Sequence, residues 1–423
     1  MARCCSLTWE RNPINWTDAM TSPAPSSIPV ATRVAGFTYA IRNIVAAARK
    51  VEATGVRIRY LNIGDPCVFG FKPPQHLVDA IEKAMRDNCN FYSPSPGIPS
   101  AREAVAADYT ARGVPTTADR IVITTGTSEG IDLTLNALAN PGDEVLVPMP
   151  TYPLYTAVLA KISAKAVFYR LDPARGWAPD LDEVRRLVTP RTRALVVIDP
   201  NNPTGSVYPT EIRRALLALA DQHGFVLLAD EVYGDLAYDG PVPPIAALYP
   251  DAPIISFSSL SKAFLAPGWR AGWMAVGRSA RLDDVMAALR KLADGRLCSP
   301  VPMQYAVTAA LTMDRSHEVQ LRADLRARAE VTVRHFNTMP GMSCVAPVAA
   351  FYAMPRVTLP PGRTDEDFVL GLLRATGVLC VHGSGFGMPP DEGYFRVVFL
   401  ASPAELDEIY SLVAGFTERF VSP

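Results

Sequence analysis

An α/β fold, with a mostly parallel sheet covered by helices and a smaller α+β lobe after it, is what this 423-residue sequence predicts. Three observations carry that expectation. Short runs rich in Val, Ile and Leu ("RIVITTG", "DEVLVPMP", "ALVVIDP", "FVLLADE", "PIISFSS") alternate with amphipathic stretches such as "LDEVRRLV" and "TEIRRALLALADQHG". Strands that are apolar throughout are buried on both faces, as strands of a helix-covered parallel sheet are. Past about residue 310 the rhythm changes to a long charged helix (about 316–337), the strands "AAFY" and "FRVVFL", and a last helix near 403–419.

Taken in order, residues 1–34 carry "TSPAPSSIP" without hydrophobic periodicity and read as an irregular tail. Ile41, Ile44, Val45, Ala48 and Val51 then mark an amphipathic helix over about 39–55, stopped near Gly55. "RIRYLNIG" reads as the first strand, and the βα units follow it. About half the residues are apolar (49%) and the formal net charge is −1, so neither a nucleic-acid nor a membrane-surface partner is indicated. No apolar run reaches the ~18 residues of a membrane span. The seven cysteines (4, 5, 67, 89, 298, 344 and 380) are dispersed, which predicts neither a metal site nor a disulfide frame and fits a reducing cytoplasm.

Ligands of open α/β sheets bind beyond the carboxyl ends of the strands, so the strand-ending segments are where chemistry is expected. "TGTSEG" ends a strand and opens a helix; its amides and the Thr127 and Ser128 hydroxyls could cradle a phosphate, or simply cap the helix. "DPNNPTG" either closes Asx turns or presents the Asn202 amide to a ligand. Asp230 ends a hydrophobic strand, where a buried carboxylate needs a cation or several donors, and Tyr233 follows three residues later. Lysine is scarce, seven against thirty-four arginines, yet Lys262 follows an apolar run among Ser258, Ser259 and Ser261. Desolvation there would favour the neutral, nucleophilic amine of a Schiff-base lysine; the bland alternative is a snorkelling surface lysine. Arg270, after "PGW", offers a forked donor set suited to phosphate, or an ordinary surface ion pair.

The ordered set "DPNNPTG", "ADEVYGDLAYDG", "LSKAFLAPGWRAGWM", with "LNIGDPCVFGF", "YSPSPGIPSAREAV", "GDEVLVPMPTYPLYTA", "RLCSPVPMQYAV" and "FRVVF", resembles the pyridoxal-phosphate-dependent aminotransferases of class I/II, fold type I. The resemblance runs from about residue 36 to the C-terminus and is strongest toward the alanine- and tyrosine-aminotransferase-like branch. It implies a large cofactor-binding domain (76–315) with a seven-stranded type of sheet, and a small domain drawn from both chain ends (35–75 and 316–423). It implies that Lys262 forms the internal aldimine with pyridoxal 5'-phosphate and later shuttles the substrate proton. Asp230 would pair with the pyridine nitrogen, Asn202 and Tyr233 would bind the ring hydroxylate, and Tyr152 would stack on the ring. Thr127, Ser128, Ser259 and Arg270 would hold the phosphate, with Ser261 beside it. Arg396, Gly64 and Asn202 would bind the substrate carboxylate. Tyr92 would reach the phosphate of a neighbouring subunit, making the enzyme a homodimer with composite sites. Tyr39, Phe37, Val68 and Tyr155 would select the side chain. "TYPLYTA" and "TTGTSEG" depart from the usual "DYPLWTA" and Asn-containing forms, the first on the substrate side.

The implied reaction is a ping-pong transfer of an amino group from an L-amino acid to a 2-oxo acid, with alanine or an aromatic amino acid and glutamate/2-oxoglutarate as the expected pair. Related cofactor chemistries on the same scaffold (an oxidase or hydroxylase, a cyclase, an eliminating synthase) share these motifs. A non-catalytic ligand-sensing regulator is the remaining alternative, and the roughly 35 residues before the first helix are short for a DNA-binding domain.

Overall fold

The computed structural model describes residues 28, 30–35 and 40–421; Phe37 and Tyr39 lie outside the described residues. Its centre is an eight-stranded sheet made of β1 (Ile121–Thr124), β2 (Glu144–Met149), β3 (Lys165–Asp172), β4 (Ala178–Pro179), β5 (Thr192–Ile198), β6 (Val226–Asp230), β7 (Ile254–Ser259) and β8 (Gly272–Val276). The spatial order is β1-β8-β7-β6-β5-β2-β3-β4. Strands β7, β6, β5, β2 and β3 run parallel, while β8 is antiparallel to both its neighbours and two-residue β4 pairs antiparallel with β3. The α/β expectation holds: seven strands carry the sheet and β4 is a short addition at its edge.

The apolar strands are buried throughout because helices cover both faces. One face packs Val122, Val145, Val196, Leu228, Ile255 and Met274 under the helices Thr127–Leu138 and Asp283–Gly295. The other packs Ile123, Leu146, Leu195, Val197 and Leu227 into a core continuous with the C-terminal part of the chain. That part holds the helices His317–Thr338, Asp365–Thr376 and Pro403–Val421 and a three-stranded antiparallel sheet of Tyr352–Ala353, Phe395–Val398 and Val381–His382. The helix Asp365–Thr376 is delimited by a Thr364/Asp367 capping box and by Gly377 in the left-handed region.

The first amphipathic helix, α1, spans Ala40–Glu52, with Ile44 and Ala48 buried one turn apart. The strand expected in "RIRYLNIG" shrinks to Arg59–Tyr60, paired in parallel with Val378–Leu379. Beyond it the backbone carbonyls of Asn62 and Gly64 accept from Arg396 and Lys262. Those acceptors serve side-chain cations and so do not extend a ladder.

Candidate active site

A cleft of about 840 Å³ opens at the carboxyl ends of the parallel strands. It is lined by Gly64, Thr127, Ser128, Tyr152, Asn202, Asp230, Tyr233, Ser259, Ser261, Lys262, Arg270 and Arg396, so the structure gathers these sequence-selected residues into one place. Tyr92 is 81% exposed and does not line this cleft, and Tyr39 is outside the described residues.

One end of the cleft suits a dianion. Because β8 lies between β1 and β7, Thr124, Gly272 and Ser259 fall in one row across the sheet. The helix α2 (Thr127–Leu138) begins directly after β1, so its positive end faces this row. Gly126, at φ +75°, makes the turn into α2, and a Cβ there would collide with the Arg270 guanidinium. Arg270 is held by its own bonds from Nη1 to the Pro267 carbonyl (2.9 Å) and from Nη2 to the Thr125 carbonyl (3.4 Å). The buried Thr127 hydroxyl has no hydrogen-bond partner. A guanidinium, a helix N-terminus and the hydroxyls of Thr127, Ser128 and Ser259 form a donor set that could hold a phosphate.

The middle of the cleft holds a carboxylate and an amine, each displaced from its ordinary titration range. Asp230 is buried at the end of β6; its Oδ2 accepts from the Tyr155 hydroxyl at 3.1 Å. Its Oδ1 has no hydrogen-bond partner, while the Val232 backbone amide and Lys262 favour the charged form of the carboxyl. Burial pushes the Asp230 carboxyl up to about 6. Lys262 donates from Nζ to the Gly64 carbonyl at 2.7 Å. Burial brings its amine down to about 8; nearby Asp65 opposes the shift, and Arg396 and Arg270 add to it.

The far end suits a carboxylate. Arg396 projects from the strand Phe395–Val398, is 1% exposed, and donates to Asn202 Oδ1 at 3.2 Å and to the Asn62 carbonyl. Its guanidinium packs over the rings of Tyr352 and Phe386, 4.9 and 4.8 Å from their centroids. Because Asn202 Oδ1 faces Arg396, its Nδ2 is the group left to donate elsewhere. The loop that carries Asn202 is pinned from beneath by Asp199, whose carboxylate meets Arg213 Nε at 2.6 Å and accepts from the Tyr208 amide at 3.0 Å. Gly64 has no substitute: a Cβ would collide with the Tyr352 hydroxyl, which itself bonds Tyr233 at 2.8 Å.

Three contributors, Tyr352, Asp65 and Asn62, escaped the sequence reading, and a fourth, Tyr155, has a different role from the one expected of it. Tyr352 and Asp65 line the cleft, Asn62 holds Arg396 through its backbone, and Tyr155 supports Asp230. Tyr155 also corrects an expectation, since a fully buried phenol bonded to Asp230 is a support for that carboxylate and no side-chain selector. Val68, 70% exposed on the turn Pro66–Phe69, does not line the cleft either. Spacing on the helix opened by Pro153 would have hinted at Tyr155; nothing local marks Tyr352.

Comparison with known proteins agrees with this geometry. The family described as aminotransferase class I and II matches residues 58–412. A "Glutamate-pyruvate aminotransferase AlaA" of Haemophilus influenzae is 37% identical over 402 residues, covering 93% of this chain and 98% of that one. An "Alanine aminotransferase" of Mycobacterium tuberculosis is 39% identical over 387 residues, covering 89% and 90% respectively. Among solved structures, an alanine aminotransferase from Pyrococcus furiosus superposes with a TM-score of 0.90 at 36% identity, over 92% of this chain and all of that one. The chain therefore belongs to the class I and II aminotransferase family, and is a pyridoxal-phosphate-dependent transaminase.

Proposed function

We propose that this enzyme exchanges the amino group of L-alanine or a similar small amino acid with 2-oxoglutarate, using Lys262 as the cofactor-bearing and proton-carrying residue. The observation that carries this reading is one cleft holding the Lys262 amine, the unpartnered Asp230 Oδ1 and the Arg396 guanidinium. The names of the relatives at 37–39% identity support alanine and glutamate as the amino donors.

The residues present fit pyridoxal phosphate. Asp230 Oδ1 is a buried acceptor awaiting a donor, which a protonated pyridine nitrogen supplies, and the orphaned Thr127 hydroxyl faces the phosphate cradle. When bound, the cofactor supplies an electron sink for negative charge at the substrate α-carbon. Arg396 then fixes the α-carboxylate as a bidentate pair, with Gly64 and Asn202 beside it, and so orients the Cα–H bond. Lys262, whose neutral form is accessible near pH 8, takes the α-proton on Nζ and delivers it on the other side of the transfer. Asp230 would keep the ring nitrogen protonated, Asn202 Nδ2 and the Tyr233 hydroxyl would donate to the ring oxygen, and Tyr152 would cover the ring. Arg270, Thr127, Ser128 and Ser259 would hold the phosphate.

Tyr92, exposed and not lining its own chain's cleft, suits a contact with a second copy's phosphate, and we propose a homodimer on that basis. No helix among the described residues is long and apolar enough to cross a membrane, in keeping with a cytoplasmic enzyme. The test is a half-reaction screen: the cofactor-loaded enzyme is mixed with single amino acids and the cofactor absorbance followed. Conversion by alanine and glutamate, reversed by pyruvate and 2-oxoglutarate, is expected. Sustained turnover of an amino acid with no oxo acid present would overturn transamination.

A further inference from the structure

The loop that follows β7, residues 260–271, carries both Lys262 and Arg270, and it is held from outside. Leu265 and Arg270 lie in the left-handed region, at φ +57° and +52°, without being glycine; such conformations persist where the surroundings impose them. One side of the loop is met by Cys67, whose Sγ donates to the Leu265 carbonyl at 3.2 Å. The other is met by the start of the helix His317–Thr338, no residue of which lines the cleft. His317 donates from Nε2 to the carbonyl of Ala263, the neighbour of Lys262, at 3.0 Å, and its ring centroid lies 5.8 Å from that of Phe264. Among the described residues no other hydrogen bond reaches that carbonyl. Arg315 lays its guanidinium 5.2 Å from the Phe264 ring centroid and donates to Asp235, two residues past Tyr233, at 2.7 Å. The entrance of one helix thus touches both the amine's loop and the loop that follows Asp230.

We propose that His317 is a positioning residue for proton transfer, fixing the Ala263 carbonyl and so the reach of Lys262 Nζ toward the substrate α-carbon; this rests on the transaminase reading of the same cleft. A lysine side chain has many rotamers, so where its amine can go depends on how firmly its backbone is held. A carbonyl accepts only from a nitrogen that bears hydrogen, so the neutral imidazole must be the Nε2–H tautomer. Burial lowers the His317 pKa below its ordinary 6.5; the Ala263 carbonyl opposes the shift, and Arg315 and His76 add to it. The ring is therefore neutral, and its contact intact, where the Lys262 amine titrates near pH 8. The plainer role for His317 is packing against Phe264, which needs bulk but no donor, and the experiment separates the two.

Single-turnover conversion of the cofactor-loaded enzyme by alanine and by α-deuterated alanine is measured for wild type, His317→Leu, which keeps bulk without a donor, and His317→Gln, whose amide restores one. His317→Leu should slow conversion at saturating alanine about tenfold, with half-saturation by alanine and affinity for pyridoxal phosphate changed less than about twofold and the isotope effect undiminished. His317→Gln should recover most of the rate. In the cofactor-free protein, amide hydrogen exchange over residues 260–271 should quicken in His317→Leu and return toward wild type in His317→Gln. A rate or an exchange unchanged in His317→Leu, a loss as large in His317→Gln, or a loss whose isotope effect shrinks overturns the assignment and leaves the transaminase reading standing. If His317→Leu does not fold, His317→Asn, whose amide is one carbon shorter than that of glutamine, is held to the same criteria. Wild-type enzyme inert toward both alanine and glutamate overturns both readings.

Discussion

Asp230→Asn should stabilise the cofactor-free enzyme while destroying its function. Burial pushes the Asp230 carboxyl from 3.8 to about 6 in the folded chain. An acid that is harder to ionise when folded binds more protons in the native than in the unfolded state over that interval, so stability falls as pH rises through it. A shift of about two units corresponds to about 3 kcal/mol once the group is fully ionised. Roughly half of that penalty develops between pH 5 and pH 8, as the native carboxyl titrates. The asparagine carries no charge, and Tyr155 can still donate to its oxygen in place of Oδ2. Urea unfolding of the cofactor-free proteins at fixed concentration should therefore show the variant more stable by about 1–3 kcal/mol at pH 8, with the gap narrowing by about 1–1.5 kcal/mol at pH 5. Adding pyridoxal phosphate should reverse the order, because only the wild-type carboxylate gains a cationic partner. A gap that is absent at pH 8, or that does not change with pH, would refute the assignment of Asp230 as a buried charge awaiting its counter-ion.

The other predictions concern the same cleft and its supports. Capture of pyridoxal phosphate by the cofactor-free enzyme should accelerate with pH to half-maximum near pH 8, the value burial gives Lys262, and Asp65→Asn should move that midpoint lower; a stopped-flow midpoint near 10 would show an ordinary surface amine. Arg213→Ala leaves Asp199 buried without its cation and should cost about 3 kcal/mol or more in urea unfolding; a loss under about 1 kcal/mol would mean that the pair is not sustained in solution. Gly126→Ala puts a side chain at φ +75° against Arg270 and should weaken cofactor binding at least tenfold, measured by titrating the enzyme with the cofactor; unchanged affinity would remove Arg270 from the phosphate site.

The parts of the site that were legible in the sequence are those whose chemistry and position coincide locally. Asp230 and Lys262 each close a hydrophobic strand or follow one, where a charge is conspicuous, and Thr127 and Ser128 open a helix straight after a strand. Alternating units predicted the parallel sheet for the same reason, since burial on both faces leaves a continuous apolar imprint. Tyr352 left no such imprint. Its hydroxyl meets Tyr233 across 119 residues, and Asn62 meets Arg396 across 334, so both roles exist only once the C-terminal part has docked. The over-long first strand has a related cause: apolar alternation in "RIRYLNIG" cannot reveal that its carbonyls are claimed by distant cations. Tyr155 was visible as a residue but given the wrong neighbour, because its helix turns the buried phenol into the core toward Asp230.

The antiparallel strand β8 has a consequence for how the enzyme is assembled. It must slot between β1 and β7, strands laid down far apart in the chain, before Thr124, Gly272 and Ser259 can share a row. Pairings of such sequence separation form late, because loop-closure entropy has to be overcome first. The phosphate anchor is thus absent from every partly folded chain in which that slot is still open. If the slot closes late, pyridoxal phosphate should slow unfolding with little effect on the folding rate, which refolding and unfolding kinetics with and without the cofactor would check.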